Sequence, residues 1–184
     1  MIKNYQKFLE SNQDIDIDAI CNQYGITNHT INSDGTVDVD GDVNISSWLR
    51  LRKERLTKLP LKFGRVTGWF DCSGNQLTSL EGCPNWVGGD FYCQNNQLTN
   101  LIGGPEVVID NYYADRNQIN DFIGFPDDYE GYCSFDDNPV EDILDQFDYI
   151  IKWKIIKYII EFEAIWNGEV IPERLEMVKD KLII

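Results

Sequence analysis

The chain has 184 residues, 42% of them hydrophobic and 12% aromatic, with 16 basic against 31 acidic side chains and a formal charge of -15 at pH 7. That is one domain's worth of chain with enough apolar content for a core, which excludes wholesale disorder. A charge of this sign also excludes non-specific binding to nucleic acid phosphates.

No apolar run approaches the roughly 18–20 residues of a membrane span, and the opening MIKNYQKFLESNQDID lacks the apolar segment of a signal peptide. The expectation is a cytoplasmic protein with no membrane partner. Five cysteines, an odd number, fit reduced thiols better than a disulfide framework.

At the N-terminus, residues 3–10 and 16–24 have helical apolar spacing (Ile2, Tyr5, Phe8, Leu9; Ile17, Ile20, Cys21), with Asp14, Asp16 and Asp18 suited to a helix start. His29, the only histidine, has no nucleophile near it in sequence and reads as structural. The run Asp34-Gly-Thr-Val-Asp38-Val-Asp40-Gly41-Asp42 invites a calcium reading. An EF-hand register on Gly41, however, places Thr36 first and Ser47 twelfth, both wrong as ligands, so two Asp-Gly turns flanking a strand account for it. Residues 50–65 then form a basic collar of Arg50, Arg52, Lys53, Arg55, Lys58, Lys62 and Arg65 against Glu54 alone. By contrast, residues 71–148 hold 16 acidic side chains and one basic, Arg116, and carry the whole net charge.

That acidic stretch is also a repeat. In steps of 21 residues, CSGNQLTSLEGCPNWVGGDFY (72–92) lies over CQNNQLTNLIGGPEVVIDNYY (93–113) and ADRNQINDFIGFPDDYEGYCS (114–134). Asn75, Asn96, Asn117 and Asn138 share one column, and Leu77, Leu98, Ile119 and Val140 another. Further columns are Leu80, Leu101, Phe122; Gly82, Gly103, Gly124; and Pro84, Pro105, Pro126. A unit of this length cannot bury its apolar face alone and must stack on its neighbours, which makes a solenoid. The inward asparagines are expected to satisfy backbone groups left unpaired where a strand bends away, in the unit above or below. Leu56-Thr-Lys-Leu-Pro60 extends the pattern backwards with Glu54 in the asparagine column, and the match of Val39–Ile45 to Val66–Cys72 and Val87–Cys93 starts the array near residue 37.

The core Phe70-Asp-Cys72-Ser-Gly-Asn75-Gln-Leu77 and Phe91-Tyr-Cys93-Gln-Asn-Asn96-Gln-Leu98 resembles leucine-rich repeats, and NQLTSL is similar to the short repeats of bacterial ubiquitin-ligase effectors. Those carry two prolines per unit where this chain has Gly and one Pro, and their catalytic domain has no counterpart in residues 141–184. Over nearly the whole chain, INSDGTVDVDGDVNI and LTKLPLKFGRVTGWFDCSGNQLTSLEGCP resemble small repeat proteins of tailed bacteriophages. The resemblance implies a phage or prophage origin and, as fold, an α+β repeat: a leucine-rich-repeat-like solenoid of about five 21-residue rungs with parallel strands and helical caps. The expected organisation is a cap over 1–36, the solenoid over 37–140 and a cap over 141–184. In the last of these, 141–165 is apolar on more than one face and stops at Trp166-Asn-Gly. A final helix is expected over 172–182, from Pro172 and Glu173 to Lys179 and Lys181.

Strand alternation predicts the outward face. With Phe91 and Cys93 inward, the outward rows are Asp42, Asn44, Ser46; Trp69, Asp71, Ser73; Asp90, Tyr92, Gln94; Asn111, Tyr113, Asp115; and Tyr132, Ser134, Asp136. Aromatic anchors beside carboxylates suit a protein partner with a basic patch, and the candidate partner-binding residues are Trp69, Asp71, Asp90, Tyr92, Tyr113, Asp115, Tyr132 and Asp136. No catalytic, cofactor or metal set is expected. Cys72 and Cys93 share an apolar column, no CxxC occurs, and nothing orients Asp127, Asp128, Glu130, Asp136 and Asp137 towards a substrate. The expectation is a non-enzymatic protein-interaction module binding a host or phage protein, in a narrower version an inhibitor of a bacterial defence or host protein. The alternative is an acidic nucleic-acid mimic occupying the site of a DNA- or RNA-binding protein.

Overall fold

The computed structural model describes residues 16–47, 55–127, 129–147 and 152–182. The expected helix over 3–10, Glu54 in the asparagine column and Arg50, Arg52 and Lys53 of the basic collar lie outside them. The chain opens on α1 (Ile17–Gln23), whose first turn is capped by the Asp16 carboxylate accepting from the Ala19 N–H at 2.9 Å. A strand follows that the cap assignment did not anticipate. β1 (His29–Ile31) pairs antiparallel with β2 (Val37–Val39) across the turn at Asp34-Gly35, where the Asp34 carboxylate accepts from the Thr36 N–H. His29 Nε2 lies 2.8 Å from Asp18 Oδ1 and ties this hairpin to α1.

From β2 onward the chain winds as a β-solenoid with parallel strands. One sheet takes β2, β4 (Phe63–Val66), β6 (Trp86–Val87) and β8 (Val107–Val108), with β1 at its edge. The other takes β3 (Val43–Asn44), β5 (Phe70–Asp71), β7 (Phe91–Tyr92), β9 (Tyr112–Tyr113) and β10 (Cys133–Ser134) in that spatial order. Successive partners Phe70, Phe91, Tyr112 and Cys133 stand 21 residues apart, whereas Val43 precedes Phe70 by 27. Each unit up to β9 thus contributes one strand to each sheet. Val66, Val87 and Val108, stacked and buried, build the sheet of β2 to β8, and the tight bends after them turn the chain into the other.

The core lies between the sheets and the return segments. Phe70 stacks on Phe91 with centroids 6.0 Å apart, Phe91 meets Tyr112 at 5.0 Å, and Phe135 closes the row. Leu77, Leu98 and Ile119 and then Leu80, Leu101 and Phe122 bury the other columns. All five cysteines are buried and free. In the glycine column Gly82, Gly103 and Gly124 have φ of +95°, +83° and +91°, which L side chains rarely adopt, and a Cβ at Gly124 would sit 2.4 Å from the Leu101 carbonyl carbon.

The asparagine column performs the expected service with one geometry throughout. The Asn96 Nδ2 donates to the Cys72 and Cys93 carbonyls at 3.1 and 3.0 Å, while its Oδ1 accepts from the Leu77 N–H at 3.0 Å. Asn117 and Asn138 repeat these bonds one and two units on. After the last unit come α2 (Glu141–Leu144), α3 (Lys152–Glu161), a hairpin of β11 (Ile165–Trp166) and β12 (Glu169–Val170), and α4 (Pro172–Leu182). The final helix has the expected bounds. The hairpin was legible only as a stop at Trp166-Asn-Gly, and its turn uses Asn167 and Gly168, both at positive φ.

Candidate functional site

The outward side of the sheet from β3 to β10 carries the candidate residues, and parallel register fixes their neighbours. Asp71 pairs with Tyr92 and Tyr92 with Tyr113, while Ser134 follows in the same row. Sequential strands about 4.8 Å apart bring aromatic rings of this row, and of the row two residues before it, into contact. Trp69 meets Tyr92 edge to face at 6.5 Å, Tyr92 stacks on Tyr113 at 4.9 Å with planes 2° apart, and Tyr113 meets Tyr132 at 5.9 Å. The four aromatics form one continuous ladder. Tyr132 at its end is 52% exposed, whereas the other three are partly covered by one another.

The carboxylates are woven into the same face. Asp90 accepts from the Tyr92 phenol at 2.6 Å and, through its other oxygen, from the Asn111 backbone N–H at 2.8 Å and side-chain amide at 2.7 Å. Burial raises the Asp90 carboxyl, but these hydrogen bonds outweigh it and hold the group below its ordinary value. Burial and the neighbouring Asp90 carboxylate push the Tyr92 phenol well up. Asp71 accepts from the Ser73 N–H at 2.8 Å, and Asp115 takes the Ser134 hydroxyl and the Asp136 N–H. Asp136 in turn lies 3.4 Å from the ammonium of Lys152 at the start of α3. All eight candidate residues therefore sit on this sheet face or its immediate border.

Three residues of the expected outward rows lie on this side but are buried. Ser46, Ser73 and Ser134 are 1%, 2% and 4% exposed. Their side chains are short, the Ser46 and Ser134 hydroxyls turn back onto Asn44 and Asp115, and larger neighbours stand over them. Alternation gave their direction but not their depth.

A cleft of about 350 Å³ opens on this face, lined by Trp69, Asp71, Ser73, Tyr92 and Gln94. Gln94 Oε1 is buried there without a hydrogen-bond partner among the described residues. Sequence reasoning placed Gln94 in the outward row but gave it no role, since nothing in the repeat marks an amide as unsatisfied.

Around the first turns, two acidic side chains serve the backbone. Asp38 accepts from the Arg65 N–H and Asp42 from the Trp69 N–H, bracing the turns of the first strand pair. Among the described residues no group of three or more His, Cys, Asp or Glu is placed to hold a metal ion, and no helix is long and apolar enough to cross a membrane. Arg55, Lys58, Lys62 and Arg65 of the collar are exposed, and the Arg65 guanidinium lies 3.5 Å over the Trp86 ring on the other sheet.

No protein-family model matches the chain, and no curated protein or solved structure matches it either.

Proposed function

We infer that this protein is a non-enzymatic interaction module, a phage-encoded leucine-rich-repeat-like solenoid of about five rungs that binds a host or phage protein through its aromatic and acidic strand face. The observation that carries this reading is the continuous ladder Trp69, Tyr92, Tyr113 and Tyr132, partly open and flanked by Asp71, Asp90, Asp115 and Asp136. Large amphipathic rings held rigid by their neighbours lose little entropy on contact, and carboxylates beside them favour lysine or arginine on the partner. An inhibitor of a bacterial defence or host protein, acting in the cytoplasm, is the narrower form of the proposal.

Capture from a bacterial lysate, comparing wild type with a Tyr92→Ala, Tyr113→Ala double variant, tests it. Loss of a salt-resistant partner from the double variant supports the face; equal recovery of every partner overturns it. The second reading, a nucleic-acid mimic, draws on the concentration of the whole net charge in residues 71–148. It requires partners that bind DNA or RNA and are released as salt rises.

A further inference from the structure

We propose that the cleft between Trp69 and Tyr92 is a socket for one arginine side chain of the partner protein. The inference rests on the reading of this face as a protein-binding surface, and deepens it by naming the group that is recognised.

The lining chemistry selects the ligand. Two aromatic rings stand at 80° to one another and form adjoining walls. The lining includes one carboxylate, that of Asp71, one of whose oxygens takes the Ser73 N–H. Among the described residues no basic side chain pairs with Asp71. A carboxylate without a basic partner favours a ligand that brings positive charge and N–H donors together.

A guanidinium meets every requirement together. It is planar and weakly hydrated, so it lies against an aromatic face, and its fork of donors matches a carboxylate. An ammonium is compact and strongly hydrated and makes poorer use of flat walls. The cleft volume, at the lower end of the range of about 300–1,000 Å³ typical of ligand sites, suits a single long side chain with the backbone around it. The surrounding negative field draws such a group in.

The test uses the full chain and three short capped peptides, Gly-Arg-Gly, Gly-Lys-Gly and Gly-citrulline-Gly, titrated while the Trp69 indole and Gln94 amide resonances are followed by NMR. The expected result is saturable shifts of both with the arginine peptide, at least tenfold weaker binding of the citrulline and lysine peptides, and at least tenfold loss in Asp71→Asn. That variant keeps an oxygen for the Ser73 N–H, and an unchanged melting temperature shows that it still folds. Equal binding of citrulline or lysine, or shifts that bypass Trp69 and Gln94, overturns the socket. If Asp71→Asn still captures the lysate partner that Tyr92→Ala, Tyr113→Ala loses, the protein-binding face stands and the arginine socket falls; loss of neither partner nor peptide in any variant overturns both.

Discussion

Tyr92 and Tyr113 lie face to face across adjacent turns, their ring centroids 4.9 Å apart and their planes 2° from parallel. Each ring holds the other in the orientation it presents outward. Beyond their area burial, such pairs contribute about 0.5–1.5 kcal/mol. A double-mutant cycle on Tyr92→Ala and Tyr113→Ala, read by urea unfolding, is expected to return a coupling of that size. Additive losses would show that the stack does not stabilise the sheet.

The asparagine column should be far less tolerant of change. Removing the Asn96 side chain leaves the Leu77 N–H and the second bonds to the Cys72 and Cys93 carbonyls unmade inside the core. With a cost of about 1–3 kcal/mol for a buried group left unsatisfied, Asn96→Ala is expected to destabilise by about 3 kcal/mol. Denaturant midpoints against a surface control such as Gln97→Ala check the figure.

Acid should weaken the fold partly through Asp90. Its folded carboxyl lies below the ordinary value, so the stabilisation is complete above the unfolded value near 4 and disappears as pH falls through the lower folded one. Unfolding free energy measured between about pH 2 and pH 6 is expected to fall less steeply in Asp90→Asn than in wild type.

At alkaline pH the sign reverses. The Tyr92, Tyr112 and Tyr129 phenols are pushed well above their usual value, in each case with burial as the first cause. They stay protonated in the fold at a pH where they ionise in the unfolded chain, so stability declines as pH rises beyond about 10. Phenolate absorbance near pH 11 should report fewer than the nine tyrosines of the chain until urea is added.

Thiol chemistry offers a further check on the packing. Burial pushes the Cys83 and Cys93 thiols well up and brings Cys133 to about 12. An aromatic disulfide reagent is expected to find no fast-reacting thiol in the folded protein and five after denaturation. One rapid thiol in the native state would show that a return segment opens locally.

The strand face was legible because its period is two and its neighbours are fixed by a 21-residue step, so Tyr92 above Tyr113 followed from spacing alone. The second sheet was harder to see. Val66, Val87 and Val108 align as well as the asparagines do, but they lie one bend before the strands whose outward residues were read, and the tight bends between them hide that the valines form a sheet of their own. The β1 strand escaped for a different reason. His29-Thr-Ile31 has no buried residue and exists because β2 offers it an edge. The cleft, finally, depends on how deep Ser73 and Gln94 lie beneath their neighbours, which is a property of packing rather than of pattern.

In the asparagine ladder every partner of Asn96, Asn117 and Asn138 lies at the same sequence distance: 19 residues back for the amide it accepts from, 24, 3 and 2 for the carbonyls it donates to. If residues 93–113 were excised, Asn117 would inherit the bonds of Asn96, and its new neighbours would not register the splice. The aromatic face therefore has a length that can be reset by duplication or loss of a 21-residue cassette, in increments of about 4.8 Å. A lineage of such proteins can lengthen or shorten this face without redesigning either end.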